Sequence, residues 1–331
     1  MKISILGGGG FLGRKLAARI AGDGALGAEP VTALTLFDLA VPPRPANAGF
    51  PVVAIAGDIV DLPEQAIPPG TDVVFHLAAV VSAQAEADYE LGRRVNLRGT
   101  DAVVDACRRL TANGGKPPRV AFTSSVASFS GTQDSVLSDD ARQVPANSYG
   151  AQKAAAELIL ADASRRSFLD AVSLRLPTVI VRPGRPNRAA SSFFSAVVRE
   201  PLLGLATELP VPDDFAAWVA SPRRAVEWLL HAATLDTTPM GLDRSVNPPG
   251  ISTTIAHLLQ ALEQVRPGAS ALVRRVEDPA IAAIVGTWPP AFEPLRARRL
   301  GFTAHEPIAD VVRAFIEDDL AATKAERGLP P

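Results

Sequence analysis

Lys2-Ile3-Ser4-Ile5-Leu6-Gly7-Gly8-Gly9-Gly10-Phe11-Leu12-Gly13 decides the reading of this chain. A short β-rich run ends in a glycine cluster, and helical spacing of apolar residues begins at Phe11 and continues to Ala21. The cluster satisfies two spacings at once, Gly8-x-Gly10-x-x-Gly13 and Gly7-x-x-Gly10-x-x-Gly13. A chain turning from strand to helix beside a pyrophosphate needs residues without a Cβ, and the helix N-terminus then turns free N–H groups and a positive dipole end to the anion. Glycines alone would also fit a flexible turn; strand, glycines and helix in this order fit a dinucleotide site. Gly7, Gly10, Phe11, Leu12 and Gly13 are the expected cofactor contacts.

The next strand candidate, Ala33–Asp38, ends in a carboxylate. Asp38 at that point accepts hydrogen bonds from both hydroxyls of an adenosine ribose and repels a 2′-phosphate. Leu39 and Ala40 follow with no cation to offset the repulsion, so NAD is expected over NADP. Further strand candidates are Val52–Ala56, Asp72–Leu77, Arg119–Ser124 and Val172–Ile180, with helices over Tyr89–Leu110 and Ser148–Arg165 between them. Strands alternating with helices predict a parallel sheet covered on both faces. The fold expected is α/β, a Rossmann-type doubly wound sheet with a smaller C-terminal α+β domain. The regularity breaks in a Pro-, Arg- and Ser-rich stretch from Arg182 to Ser192, a candidate boundary. We therefore expect a cofactor-binding domain over residues 1–180, with a return segment near 215–248, and a substrate domain over most of 181–331. That second half carries helical patterns at Pro222–Thr234, Thr253–Val265, Asp278–Val285 and Ile308–Ala325, with short strand candidates at Ser245–Val246 and Leu272–Glu277.

Composition removes several classes of function. In 331 residues, 33 Lys and Arg against 35 Asp and Glu give a net charge of −2, which draws the protein to neither nucleic acid nor an anionic membrane. Cys107 is the sole cysteine, and four histidines stand too far apart to read as a metal motif, so no disulfide and no metal are expected. No run reaches the roughly 18 apolar residues of a membrane span, and the N-terminal run lacks a signal peptide's features. A cytoplasmic location is expected.

Tyr149-Gly150-Ala151-Gln152-Lys153 places a phenol and an ammonium on one helix face. A nearby cation favours phenolate, which serves as a general base. Upstream, Phe122-Thr123-Ser124-Ser125 ends the preceding strand, at the sheet edge where ligands of open α/β sheets bind. With Gly7-x-x-Gly10-x-x-Gly13, Asp38, Asp58-Ile59, His76-Leu77-Ala78-Ala79 and Asn96 in Val-Asn-Leu-Arg-Gly-Thr, these features resemble the extended short-chain dehydrogenase/reductase family, in the family's order across about half the chain.

The resemblance implies that Asp58 and Ile59 hold the adenine and that Leu77, Ala78 and Ala79 line the cofactor. It implies that Ser125 binds the reacting oxygen and Tyr149 exchanges the proton. Lys153 would grip the nicotinamide ribose and lower the tyrosine pKa, with Asn96 supporting the site. His76 and Cys107 read as packed structural residues. The stretch Leu174–Asn187 and the runs Ser82–Asp88 and Ser221–Val226 resemble a branch of the family that oxidises the C2 hydroxyl of a four-carbon sugar acid with NAD⁺. On that basis Pro177 and Thr178 join the cofactor contacts, while Ser82, Thr178, Arg185, Asn187 and Arg223 join Ser125 and Tyr149 at the substrate. Physical chemistry agrees in part: between Ala171 and Arg199 stand Arg175, Arg182, Arg185, Arg188 and Arg199 and no acid, a segment suited to a carboxylate. Arg223 or one of the loop arginines is the expected partner of a small anionic sugar acid. A homodimer built on the two long helices is expected by resemblance. Two rivals stay open, a nucleotide-sugar epimerase that keeps NAD as an internal redox carrier and a scaffold that binds NAD without turnover. Dehydration is disfavoured, because Val126 and Ala127 stand where the family's dehydratases carry Asp-Glu.

Overall fold

A computed structural model describes the chain except residues 133, 186–190, 304–306 and 331. Its strands, in chain order, are β1 (Lys2–Leu6), β2 (Ala33–Asp38), β3 (Val52–Ala56), β4 (Val73–His76), β5 (Arg119–Ser125), β6 (Asp170–Leu176), β7 (Thr178–Val179), β8 (Ala216–Ala220), β9 (Ser245–Val246) and β10 (Ile251–Thr254), apart from short paired segments that bear little on the site. The main sheet runs β9-β6-β5-β4-β1-β2-β3 and is parallel throughout. Strand order reverses between β2 and β4 around β1, the arrangement that opens a crevice at the carboxyl ends of the strands. Register lines up that edge: Leu6 lies opposite both Phe37 and His76, His76 opposite Phe122, and Ser125 opposite Leu176.

Alternation along β1 fixes which helices cover which face. Ile3 and Ile5 pack with Leu16 and Ile20 of α1 (Phe11–Asp23) and with Trp228 and Leu229 of α5 (Pro222–Thr234). Leu6, with Val74 of β4, packs on the other face against Val103 and Cys107 of α2 (Gly99–Ala112) and Leu160 of α3 (Ser148–Arg165). Each such Leu or Ile taken fully out of water contributes ~2 kcal/mol, so the two faces hold the sheet firmly. A separate core joins Phe193, Phe194 and Val197 of α4 (Ser192–Leu202), Leu258 and Leu262 of α6 (Ile255–Val265), and Val311, Val312 and Phe315 of α7 (Ile308–Phe315).

Two elements depart from the sequence reading. The strand expected over Val172–Ile180 breaks at Pro177, which has no N–H for the ladder; Thr178–Val179 leaves the main sheet and pairs with β8 in a second sheet, β10-β8-β7. The helix expected over Tyr89–Leu110 contains one wide turn, Arg94–Arg98, between Tyr89–Arg93 and α2. Among the described residues no helix is long and apolar enough to cross a membrane, and no cluster of His, Cys, Asp and Glu is arranged to hold a metal.

Candidate active site

The glycine loop leaves no room for side chains. A Cβ on Gly7, whose φ is +90°, would lie 2.7 Å from the Ala78 backbone nitrogen; one on Gly13 would lie 2.1 Å from the Gly7 carbonyl oxygen. The first contact presses the loop onto the end of β4, and the second presses α1 onto the loop. Gly7 and Gly8 both donate to the Phe37 carbonyl, at 2.8 and 3.0 Å, which ties the turn to β2. Asp38 stands at the tip of β2, and its carboxylate accepts from Gly9 N at 2.9 Å and from Leu39 N at 2.7 Å. The acid expected at the ribose thus borders the glycine loop. Phe11, Leu12, Leu77, Ala79, Pro177 and Thr178 line a cleft of about 430 Å³ with Gly7, Gly10 and Gly13.

Ser125 and Tyr149 line the same cleft. Ser125 is the last residue of β5; its hydroxyl accepts from Ala127 N at 3.1 Å and neighbours the Tyr149 phenol. Tyr149 rides on the first turn of α3, which Asn147 caps by accepting from Gly150 N at 2.8 Å. Gly150 was missed in the sequence, although it sits inside the motif. A Cβ there would lie 2.2 Å from the Ala127 carbonyl, so its absence lets α3 seat against the turn that carries Ser125. Burial pushes the Tyr149 phenol up to about 12, against the neighbouring Ser125 hydroxyl and the charge of Arg182, which both favour phenolate. Arg182, which the sequence did not single out for this role, supplies charge that favours the phenolate.

Lys153 is buried behind the tyrosine. Its ammonium donates to the Thr123 carbonyl at 2.8 Å and lies 4.5 Å from the Phe122 ring centroid and 5.7 Å from that of Tyr149. Beneath it, Glu157 gathers Arg175 Nη2 at 2.8 Å, Ser245 Oγ at 3.0 Å, Gln143 Nε2 at 3.1 Å and the Ser124 hydroxyl. Burial pushes Lys153 down to about 7, with Glu157 opposing. The native pKa therefore lies below that of the unfolded chain. Between about pH 7 and 9 the unfolded chain holds a proton the native state lacks, so this group makes stability rise with pH across that window. Lys153→Met removes that contribution, and the melting temperature of the native chain relative to the variant should climb from pH 7 to 9, by roughly a few degrees. Parallel curves would contradict a buried ammonium of low pKa.

The remaining expected residues divide. Asn96 is buried and bridges rather than lines the cleft: it accepts from Val80 N at 2.9 Å, donates to Val80 O at 3.0 Å and donates to Gln152 Oε1 at 2.7 Å, fastening the segment after β4 to α3. Asp58 accepts from Val60 N at 3.0 Å and pairs with Arg94, while Ile59 is buried under Gly99. Ala78 packs on Gly7, and Ser82 lines the cleft. Two substrate expectations are corrected. Arg223 is bound by Asp318 (2.6 Å) and Glu317 (2.8 Å), away from the cleft, so its charge is already matched. Arg185 is exposed and borders a different cavity, beside Lys15 and Glu326. Asn187 lies outside the described residues. Arg182, Ser191 and Trp288 do line the cleft and were not singled out for it. Only the acid-free run Ala171–Arg199 pointed toward the first. His76 is buried against Thr100 (3.1 Å) with burial pushing it down to about 3, and buried Cys107 is pushed up to about 12; both are structural, as expected.

With this geometry in hand, comparison with known proteins is specific. Residues 3–219 match the NAD dependent epimerase/dehydratase family. The chain is 46% identical over 327 residues to a D-erythronate dehydrogenase of Cupriavidus necator, covering 96% of this chain and 98% of that protein. It is 36% identical over 326 residues to a D-erythronate dehydrogenase of Haemophilus influenzae, covering 97% and 100%. A crystal structure described as a nucleoside-diphosphate-sugar epimerase from Agrobacterium tumefaciens superposes with a TM-score of 0.92 at 44% identity, covering 97% of this chain and 95% of that one.

Proposed function

The chain belongs to the NAD dependent epimerase/dehydratase family, and on that premise we propose that it is an NAD-dependent dehydrogenase acting on the C2 hydroxyl of a short sugar acid, with D-erythronate oxidised to 2-dehydro-D-erythronate. The observation that carries this reading is the meeting of Ser125 and Tyr149 in one cleft with the glycine loop. The residues present fit NAD: glycines 7 and 13 leave a cradle that a Cβ would fill, and Asp38 borders it. Gly7, Gly10, Phe11, Leu12 and Gly13 would hold the diphosphate, Asp38 the adenosine ribose, Lys153 the other ribose, and Leu77, Ala79, Pro177 and Thr178 the nicotinamide end. When bound, the cofactor supplies the hydride acceptor. Ser125 orients the substrate hydroxyl, and Tyr149, as phenolate, takes its proton. The ammonium of Lys153 and the guanidinium of Arg182 favour that phenolate.

The proposal extends to a cytoplasmic homodimer, with residues 1–180 and 215–248 as the cofactor side and the rest mainly as the substrate side. Exposed Tyr89 and Leu158 on the two long helices, at 55% and 72% of their surface, support the pairing of those helices.

The description of the Agrobacterium structure points to the rival, nucleotide-sugar epimerisation. A cavity of about 870 Å³ adjoins the cleft at Ser82 and Trp288, the space a larger substrate would fill. Its described walls carry Glu86, Glu208, Glu277 and Asp278 and no Lys or Arg, which repels a diphosphate. A stoichiometric assay decides: with D-erythronate, NADH should accumulate in equal amount to the acid consumed. Epimerised UDP-sugar with no net NADH would contradict the reading.

A further inference from the structure

Arg182 is left over once the ion pairs of the arginine-rich segment are assigned. Arg175 is held by Glu157 at 2.8 Å, Arg199 by Glu200 at 2.9 Å, and Arg185 is exposed outside the cleft; Arg188 lies outside the described residues. Arg182 has no carboxylate partner among the described residues. Its Nε donates to the Val179 carbonyl at 3.1 Å and an Nη to Ser191 Oγ at 3.4 Å, and among the described residues these are its side-chain hydrogen bonds, which use two of five N–H donors. Its backbone is pinned on both sides, the N–H donating to Ser195 Oγ at 3.1 Å and the carbonyl accepting from Arg199 Nη1 at 2.7 Å. The side chain forms part of the cleft wall with Ser125, Tyr149 and Thr178, and its charge is felt at the Tyr149 phenol. Burial pushes the guanidinium pKa down, the Tyr149 phenol opposing and the like charge of Arg199 adding to it, so an anion beside Arg182 would stabilise its charge.

We propose that Arg182 receives the substrate carboxylate, as a bidentate pair, and makes the cleft selective for 2-hydroxy acids over neutral alcohols. The assignment rests on the dehydrogenase reading and names the specificity determinant of that site. In a 2-hydroxy acid the carboxylate is bonded to the carbon that bears the reacting hydroxyl, so its anchor must lie near the residues that hold that hydroxyl. Among the described residues Arg182 is the cleft arginine that meets this condition. Its loss has a second signature, because removing a cation that favours the phenolate raises the Tyr149 pKa and moves the rising limb of the pH–rate profile to more alkaline values.

The test compares the native chain with Arg182→Gln and Arg182→Lys, using D-erythronate and erythritol as substrates and NADH binding by fluorescence as the control. For Arg182→Gln, KM for D-erythronate should rise about 100-fold, and for Arg182→Lys about tenfold, because an ammonium keeps the charge and loses the fork. NADH affinity should be unchanged, the preference for the acid over erythritol should collapse, and the thermal shift that D-erythronate produces on the NADH-loaded protein should vanish in Arg182→Gln. If that variant does not accumulate, Arg182→Lys, which keeps the buried cation, carries the test alone. An unchanged KM and thermal shift in a folded variant overturns the proposal and leaves the dehydrogenase reading standing. A native chain that oxidises no aldonate overturns the reading itself.

Discussion

Tyr149→Phe should lower kcat on D-erythronate by about 10³-fold and leave the affinity for NAD within about twofold. The phenyl ring keeps the packing of the tyrosine on α3, and the substitution deletes only the hydroxyl, which neighbours Ser125. No described side chain lining the cleft is a carboxylate or an imidazole that could take the proton, and Lys153 is turned to the Thr123 carbonyl. The loss therefore falls on kcat, as expected for an interaction needed in the transition state. Steady-state kinetics with cofactor binding by fluorescence checks it. Activity within tenfold of the native chain would remove the phenol from the mechanism.

Gly13→Ala should abolish measurable NAD binding, a loss of at least about 100-fold, and destabilise the fold by ~1–3 kcal/mol. The added Cβ would meet main chain on two sides, 2.1 Å from the Gly7 carbonyl oxygen and 2.9 Å from the Gly8 Cα, with no flexible side chain to yield. Either α1 lifts from the loop or the loop opens, and both pull the helix N-terminus from the place of the diphosphate. Gly22→Ala is the control on the same helix. A Cβ there has nothing within 4 Å, so the variant should keep full NAD affinity and be as stable as the native chain or more so, by up to ~1 kcal/mol. Titration of NAD into both variants, with thermal melts, separates close packing at one glycine from a general cost of losing glycine.

Much of this site was legible in the sequence because it is built from local segments. The strand, glycine cluster and helix opening of residues 2–13, the carboxylate ending β2, and the turn-spaced Tyr149 and Lys153 each keep their meaning within a dozen residues, and the folded chain sets all of them at one sheet edge. What could not be read depends on partners remote in sequence. Arg223 looked available until Glu317 and Asp318, nearly a hundred residues later, took it. Arg182 was one of five arginines in an acid-free run, and only the ion pairs of Arg175 and Arg199 single it out. The break at Pro177 was visible as a residue, yet its consequence, the transfer of Thr178–Val179 to another sheet, required β8, some forty residues away. Gly150 carried its signal in the motif, but the reason for it is the Ala127 carbonyl across the turn.

The central claim is that hydrogen leaves C2 of a hydroxy acid as hydride and reaches the cofactor. D-erythronate deuterated at C2, turned over with unlabelled NAD⁺, tests this most directly. Deuterium recovered in the reduced nicotinamide, with slower turnover than for the unlabelled acid, is the expected result. Deuterium retained in the acid or lost to water while the reduced cofactor forms unlabelled would contradict the account.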